Sequence, residues 1–508
     1  MISRSLKQIS SLSVSTVFSR ILGLLRDVLL FSALGSGMIS SAFIIAFTIP
    51  NLFRRMLGEG ALSSAFVPVF EEVRSKNEPS AFNLLNQTLS RILLYFGGII
   101  GVMIVIVWVL THTLSLPPNW EIAFPMLQFL LPYALLICLA AILTAALNCL
   151  GQFFLPSLSP ILLNLCMIGA ILIGSRILNK TDLQVAHLIC LGVLFGGVVQ
   201  FLLPFGLALL KKWKPRLRID KSPEISEVGK LFATATVGAA ILQINLLVTR
   251  LIAFQISDEA VSQLYVASRI VEFPLGLFTV AIYTVLFPKL SRSFAEKKTS
   301  EFSNILKEGF LAMTLISLPC AIGIGMLATP VLSMLFQWGN YSVQDVMATS
   351  PILAIYAACI PFYSYTALFT RAFHAEKDMK LPVVISGYSM GLNILLSLAL
   401  IQPFGVQGLA IANLSTSVAQ FGALSYFWLK HHKPSNALSF LPPLSRILVS
   451  NLFLIATVTF GIHHTSSFST NASKWQLSVS LISIIGISAA VYFTVGLVFK
   501  LHKYLPKN

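Results

Sequence analysis

Long apolar runs separated by short polar segments dominate the chain. Each run is about 20 residues long, the length at which an α-helix spans the hydrocarbon core of a bilayer. The predicted spans are 12–34, 38–58, 91–111, 123–147, 157–175, 185–210, 230–254, 260–287, 309–328, 347–373, 382–401, 406–429, 443–463 and 476–499. The pattern therefore predicts an all-α integral membrane protein with about fourteen transmembrane helices.

The composition excludes an ordinary soluble protein. Of the 508 residues, 56% are hydrophobic and only 11% are charged, whereas soluble domains carry about 25% charged residues. The six cysteines lie singly in apolar stretches without a Cys-x-x-Cys pair. We interpret them as small packing residues and not as disulfide or zinc-site residues.

The basic residues lie mainly in alternate loops. With the N-terminus in the cytoplasm, the inner segments hold 26 of the 35 Lys and Arg residues, the outer loops hold 3, and six arginines fall within spans. Such a bias is typical of cytoplasmic loops, and one missed helix would reverse every later loop. The net charge of +16 is thus explained by topology and not by nucleic-acid binding, and both termini are expected in the cytoplasm.

Short sequence matches recur at offsets of 224 to 226 residues. An offset of that size covers six helices, so it predicts two six-helix lobes in parallel orientation. The paired positions are Arg26 with Arg250, Ile49-Pro50 with Phe273-Pro274, and Ala146-Leu147-Asn148 with Ala372-Phe373-His374. The predicted domains are an N-terminal lobe 1–210, a basic cytoplasmic linker 211–229, a C-terminal lobe 230–430, and two extra helices within 431–508.

Arginines inside the spans are the strongest functional signal. Each costs about 2.5–3.5 kcal/mol at the centre of a bilayer unless it faces a polar cavity or a partner. The six are Arg20, Arg26, Arg54, Arg55, Arg250 and Arg269, whereas the acids nearby are Asp27, Glu59 and Glu272. They occupy the first two helices of each predicted lobe, which are expected to meet across a central cleft. Because guanidinium groups match phosphate oxygens in a bidentate manner, the pattern predicts an anion site.

Two of these arginines have an alternative role in structural ion pairs. Arg20 and Asp27 are seven residues apart and lie on one helix face, so they could pair. Arg269 and Glu272 are three residues apart and could do the same. In either case the cation would stabilise the helix and not bind a ligand.

The other arginines have different alternatives. Arg250 lies near the outer end of its predicted helix and could extend its side chain to the membrane surface. Arg54 and Arg55 are close enough to the inner face to act as topology anchors. Arg26 lies about 240° around the helix from Arg20, so a straight helix cannot present both to one site. Gly23 lies between them and permits a kink that would bring the two closer.

Other candidate chemistry is sparse. The histidine pairs 431–432 and 463–464 lie at loop edges without a third metal ligand nearby in the sequence. The sequence contains neither the Gly-x-x-x-x-Gly-Lys-Ser/Thr nucleotide loop nor the Gly-x-Ser-x-Gly elbow. We therefore expect a transporter and not an enzyme, with no metal or cofactor. Prolines at many span ends favour helices that rock between two openings, although proline is also commoner in membrane helices generally.

The residues around these arginines resemble a known family. The stretches FSRILGLLRD (18–27), AFTIPNLFRR (46–55), GEGA (58–61) and AFVP (65–68) closely resemble the MurJ/MviN family, and SRIVEFP (268–274) resembles its eighth-helix motif. These proteins are bacterial lipid II flippases of the multidrug/oligosaccharidyl-lipid/polysaccharide exporter superfamily. The resemblance covers essentially the whole chain, including the fourteen spans and the last two helices.

The resemblance implies an alternating-access carrier in the bacterial plasma membrane. It would move undecaprenyl-pyrophosphoryl-MurNAc-pentapeptide-GlcNAc (lipid II) from the inner to the outer leaflet, as a monomer, with the cell-wall synthesis machinery as an expected partner. The substrate-binding residues carried over are Arg20, Arg26, Arg54 and Arg269. The resemblance also gives Ser19, Arg55 and Glu272 as supporting cavity residues, and the charges in and next to the spans add Asp27, Glu59 and Arg250 to this supporting set. A groove formed by the last two helices, at about 443–499, would hold the lipid tail.

Three positions depart from the family pattern. Family members often have an acid where this chain has Ser41, a lysine where it has Thr48, and an acid where it has Ser268. The loss of acids makes the predicted cavity more positive and puts in doubt any gating ion pair or ion coupling at these positions. Whether a coupling ion or the membrane potential drives transport stays open. Two other cargoes, a different polyprenyl-linked glycan or a drug or cation, also stay open, although a drug or cation exporter would usually need an acidic cavity. A further alternative is an integral-membrane enzyme acting on polyprenyl phosphates, which would need a catalytic acid, base or metal cluster, and no such set appears in the sequence.

Overall fold

The architecture comes from a computed structural model, which describes residues 2–56, 62–152, 154, 158–432, 441–465 and 473–504, with side chains in the first helix from Phe18 onward. Within these ranges the regular structure is helical, without strands. The helices form two compact units. The first unit comprises Met1–Ser262 and Trp338–Tyr341, and the second comprises Gln263–Gln337 and Ser342–Asn508.

The first unit is built from nine successive helices of the described chain. They are α1 (Ile2–Leu34), α2 (Met38–Phe53), α3 (Leu62–Lys76), α4 (Glu78–Arg91), α5 (Gly97–Thr113), α6 (Pro118–Cys149), α7 (Ser159–Leu172), α8 (Asp182–Leu210) and α9 (Pro223–Phe254). π-Helical turns at Ile92–Phe96 and Ile173–Ile177 join α4 to α5 and extend α7. Buried apolar side chains of α3, α4 and α6 form one core of this unit.

The second unit follows from α10, which contributes residues to both units. Its helices are α10 (Ala260–Pro274), α11 (Val280–Ala295), α12 (Thr299–Met326), α13 (Ala328–Leu335), α14 (Val343–Ala375), α15 (Lys380–His432), α16 (Leu441–His464) and α17 (Lys474–Val498). A π-helical turn, Leu275–Thr279, follows Pro274. Proline lacks the backbone N–H, so Pro274 removes one bond of the regular α-helical ladder just before this turn.

The all-α membrane prediction is confirmed, with a span number of about fourteen. Ten continuous helical stretches of the described residues are long and apolar enough to cross a bilayer. Two of these stretches, Glu78–Thr113 and Ala260–Ala295, each join two labelled helices through a π-helical turn. Another of the ten, α15, contains two predicted spans, and α1, α2 and α9 occupy the three predicted spans outside that set. The two compact units are groups of helices that contact one another, whereas the two lobes were predicted from repeated sequence. The units do not test the lobe boundaries, so 1–210 and 230–430 stay predictions.

A four-residue segment, Trp338–Tyr341, belongs to the first unit and closes the end of α1. The Asn340 backbone N–H donates to the Ser32 carbonyl at 2.8 Å, and its side-chain amide donates to the Ala33 carbonyl at 2.7 Å. The last carbonyls of a helix lack partners within the helix. These bonds therefore supply them from a distant part of the sequence.

The chain turns sharply within α15. Gly405 has φ +55° and ψ −134°, a conformation that side chains with a Cβ rarely adopt. Three residues later, a Cβ at Gly408 would collide with the carbonyl oxygen of Leu400. The two glycines therefore permit the reversal that separates spans 382–401 and 406–429.

We expect Gly408→Ala to destabilise the protein by about 1–3 kcal/mol, because the turn cannot accept the added methyl group without a backbone shift. Thermal unfolding of the purified protein in detergent measures this loss. Gly422→Ala is the matched control, because a Cβ there meets nothing within 4 Å, and alanine is the better helix former. Equal melting temperatures for the two variants would contradict this account of the turn.

Candidate functional site

Arg26 and Asp27 form a buried ion pair in the first helix. Their exposed fractions are 7% and 2%. The Arg26 Nη2 and Nε atoms donate to Asp27 Oδ1 at 2.6 and 3.0 Å, and Nη1 donates to Asn164 Oδ1 on α7 at 3.0 Å. The Asn164 amide also donates to the Ser19 carbonyl at 3.3 Å. This network satisfies a charge inside a predicted span and ties α1 to α7.

The partner of Asp27 differs from one that the sequence suggested. Asp27 pairs with the adjacent Arg26, whereas the interpretation that pairs it with Arg20 is wrong. Seven residues of helix separate Arg20 and Asp27 by about 10 Å along the axis, a distance that favours a shared face but not an ion pair. Arg20 is exposed and Ser19 is partly exposed.

Arg54 and Arg55 lie where the α-helix α2 ends and a π-helical turn begins. Residues 54–56 form a π-helical turn directly after Phe53, and both arginines are partly exposed. The Arg54 Nε atom donates to Asn51 Oδ1 at 2.7 Å, which orients its guanidinium group. The predicted cavity residue Glu59 lies outside the described residues.

Arg250 binds inward to α2. Its Nη1 atom donates to Thr48 Oγ1 at 2.6 Å, and the Thr48 hydroxyl donates to the Ile44 carbonyl at 2.6 Å. Thr48 is buried. A lysine at this position would put a second cation where Arg250 donates, so threonine suits the arginine. The bond fastens α9 to α2 and favours packing over extension to the membrane surface.

Ser41, which stands where family members often have an acid, belongs to a group of three buried hydroxyls. Ser262 Oγ lies 2.9 Å from Ser40 Oγ and 3.0 Å from Ser41 Oγ, and all three side chains are buried. Neutral hydroxyls can exchange donor and acceptor roles without a charge change. Position 41 therefore contributes a neutral hydrogen bond in this protein. Ser268, another departure, donates to the Tyr265 carbonyl at 2.8 Å.

In the second unit, Arg269 is held by two neighbours on α10. Its Nη1 atom lies 2.8 Å from Glu272 Oε2, and Nη2 donates to the Tyr265 hydroxyl at 2.8 Å. The guanidinium carbon lies 4.7 Å from the Tyr265 ring centroid, a distance at which cation–π attraction acts. The sequence alternative of an Arg269–Glu272 pair is thus confirmed, and partial exposure leaves part of the guanidinium accessible.

The structure brings together some of the predicted site residues with partners that the sequence analysis did not name. Arg26 joins Asp27, and Arg269 joins Glu272. The partners missed were Asn164, Ser262 and Tyr265. Asn164 was detectable in principle, since it is a polar residue inside the apolar span 157–175. Ser262 and Tyr265 have no such signal, because hydroxyl residues are common in membrane helices.

The comparisons with known proteins agree on one family. A sequence model described as "Lipid II flippase MurJ" matches residues 30–480. A Vibrio cholerae protein named "Probable lipid II flippase MurJ" is 30% identical over 97% of this chain and 95% of its own length.

Solved structures show the same relationship. One described as "Lipid II flippase MurJ, inward closed conformation" aligns with a TM-score of 0.79 and 25% identity, covering 96% of this chain and 98% of that chain. An inward-facing multidrug resistance MATE family transporter aligns with a TM-score of 0.65 and 15% identity, covering 85% of this chain and 100% of that one. The second likeness shows the fold alone.

The helices and the comparisons define a multi-pass membrane transporter. The family model covers most of the chain, and the Vibrio cholerae relative matches nearly its full length. The chain therefore belongs to the lipid II flippase MurJ family.

Proposed function

We propose that this protein carries lipid II from the inner to the outer leaflet of the bacterial plasma membrane by alternating access, without catalysing a reaction. The observation that carries the proposal is a set of arginines in apolar helices of a chain that belongs to a flippase family. Both termini lie in the cytoplasm in this scheme, as the loop charges favour. The protein acts as a monomer beside the cell-wall synthesis machinery.

The pyrophosphate of the lipid is the group that these arginines bind. Ionised phosphates are extremely costly in hydrocarbon, so a carrier must replace their hydration during transfer. Arg20 is exposed, and Arg54, Arg55 and Arg269 are partly exposed, so a ligand in the surrounding space can reach their guanidinium groups. Each charge-assisted bond contributes about 1.5–3 kcal/mol.

Arg26 enters the proposed site through an exchange of partners. Its guanidinium group is bonded to Asp27 and Asn164, so a phosphate would compete with these acceptors. Such an exchange makes binding depend on the conformation of α1, because the competing acceptors are fixed on α1 and α7. Ligand binding that differs between two conformations is what shifts a carrier between them.

The membrane potential supplies the driving force in this proposal. Outward transfer of an anion is favoured by a negative interior, at about 2.3 kcal/mol per charge per 100 mV. The neutral hydroxyl cluster at Ser40, Ser41 and Ser262 supports the membrane potential as the driving force, because position 41 has no carboxylate that could bind a coupling cation or a proton. The lipid tail would follow the groove of α16 and α17.

Substitution of Arg269 tests the binding role directly. We expect Arg269→Ala to slow lipid II flipping about 10- to 100-fold, because it removes charge-assisted donors to the pyrophosphate. Arg269→Lys should recover only part of the rate, because a point charge lacks the planar fork. The measurement is the access of lipid II to an outer-leaflet probe in cells that depend on the variant.

Arg292→Ala is the matched control for Arg269→Ala. Arg292 also pairs with an acid on the next helical turn, at 2.8 Å from Glu296, but it is strongly exposed at the end of α11. The hydrogen bond from Arg292, with help from Lys298, holds the pKa of Glu296 at about 2. Flipping should stay within about twofold of the parent in this control. A loss of flipping equal to that of Arg269→Ala would contradict a specific role for Arg269.

A second experiment separates the packing role of Arg26 from its proposed ligand role. Arg26→Ala should destabilise the protein by about 3–5 kcal/mol, because the buried Asp27 carboxylate loses the guanidinium group bonded to it. The double variant Arg26→Met/Asp27→Leu should restore the thermal unfolding temperature, since neutral residues of similar size often replace a buried pair without loss. Flipping should remain low in the double variant. Normal flipping there would show that Arg26 only anchors α1.

A further inference from the structure

An extended ten-residue segment, 213–222, runs along α4 of the first unit; we call it the strap. Trp213 begins it and is buried. The Trp213 indole N–H donates to Asn86 Oδ1 at 2.9 Å, the Asn86 amide donates to the Lys214 carbonyl at 3.0 Å, and the Arg216 backbone N–H donates to Asn86 Oδ1 at 3.3 Å. A single asparagine thus fixes the start of the strap.

Further polar residues of α4 hold the rest of the strap. The Arg218 backbone N–H donates to Ser90 Oγ at 2.9 Å, and Arg91 Nη2 donates to the Asp220 carbonyl at 2.8 Å. The Gln87 amide donates to Asp220 Oδ2 at 2.9 Å, and this bond, aided by Arg218, lowers the pKa of Asp220. Positions 86, 87, 90 and 91 share one helix face, so α4 acts as a track for the strap.

The strap region is strongly cationic. Apart from the ionised Asp220, its charged side chains are Lys211, Lys212, Lys214, Arg216, Arg218 and Lys221. The anchoring bonds of the strap use the backbone at Lys214, Arg216 and Arg218. The side chains of Lys214 and Arg216 are exposed, and that of Arg218 is partly exposed. The region therefore presents a positive surface of fixed position.

An apolar cavity opens beside this positive surface. Its volume is about 230 Å³, and its walls include Leu93, Leu139, Phe201, Phe205 and Trp213. Arg216 and Leu217 also line the cavity, so the Arg216 side chain places a positive charge at the edge of an apolar pocket.

The strap lies at the edge of the apolar spans. Arg91 is the last charged residue before the apolar run of α5, and α8 ends at Leu210, which is 80% exposed. Within the strap, Leu217 and Ile219 are 80% and 55% exposed. Exposed apolar side chains next to exposed cations are typical of segments that lie in the headgroup region of an anionic membrane.

We propose that the strap and its cavity form a binding site for an anionic phospholipid. The headgroup phosphate contacts Arg216, with Lys214 and Arg218 adding positive charge around it. One acyl chain enters the cavity between Leu93, Leu139 and the aromatic side chains. This occupant is independent of the transported lipid, because the site lies on the linker and α4 and uses none of the arginines proposed to bind pyrophosphate.

The chemistry favours a phospholipid over a free anion. A free phosphate would use the cations but leave the apolar cavity and the exposed Leu217 and Ile219 without a function. An anionic phospholipid satisfies both features, and each Lys or Arg near the surface contributes about 1 kcal/mol of attraction to it.

The experiment titrates the purified full chain in detergent with phosphatidylglycerol, phosphatidylcholine or inorganic phosphate, and native mass spectrometry counts the bound molecules. The test variant is Lys214→Gln/Arg216→Gln/Arg218→Gln, which leaves the anchoring backbone bonds in place. We expect it to lose on the order of a hundredfold in phosphatidylglycerol affinity. The matched control, Lys297→Gln/Lys377→Gln/Lys380→Gln, removes three exposed lysines of the second unit and should keep the parent affinity.

Three results would overturn the proposal. One is parent-like phosphatidylglycerol affinity in the strap variant, another is an equal loss in the control, and the third is equal binding of phosphatidylcholine or of inorganic phosphate alone.

A further variant tests the cavity. Leu93→Trp fills the cavity from an exposed position and should lower the affinity for long-chain phosphatidylglycerol more than the affinity for a short-chain analogue. An equal loss of affinity for both lipids would contradict the placement of an acyl chain in the cavity.

Discussion

A charge within an apolar helix must find a partner, and this requirement governs how the helices of the first unit are connected. Arg26 is satisfied by Asp27 on its own helix and by Asn164 on α7, whereas Arg250 is satisfied by Thr48 on α2. The bonds to Asn164 and to Thr48 each join two helices that are distant in sequence. Because unpaired charges are so costly in hydrocarbon, these polar contacts determine which helix faces pack together.

The same requirement connects packing with transport. A cation that is already paired can bind a substrate only by exchanging acceptors, so its affinity depends on where those acceptors lie in each conformation. Arg26 and Arg269 both have acids beside them, whereas Arg20 is exposed. In the proposed mechanism, Arg20, Arg54 and Arg269 attract the pyrophosphate, and the exchange at Arg26 links its binding to movement of α1. The hydroxyl cluster at Ser41 leaves that contact neutral.

The sequence predicted the helices well because the apolar runs are long and their flanking charges are strongly asymmetric. It also predicted the Arg269–Glu272 pair, whose spacing of three residues brings side chains together on any helix. It failed for Asp27, where a shared face was confused with contact across two helical turns. Asn164 was visible as a polar residue in an apolar span, but its pairing with Arg26 depends on which helices meet, and helix periodicity carries no such information. The same holds for Ser262. The π-helical turn at Arg54 has no signal in the helix periodicity. The strap was recognised only as a basic linker, since its extended path depends on side chains of α4.

The central claim is that lipid II contacts the membrane arginines. The most direct measurement places a photo-crosslinking amino acid at Ser19 or Ser268, next to Arg20 and Arg269, and detects adducts with labelled lipid II in membranes. Leu395, an exposed apolar residue of α15, serves as the comparison position. The account predicts adducts at Ser19 and Ser268 that unlabelled lipid II suppresses, with little labelling at Leu395. Equal labelling at all three positions, or none beside the arginines, would contradict it.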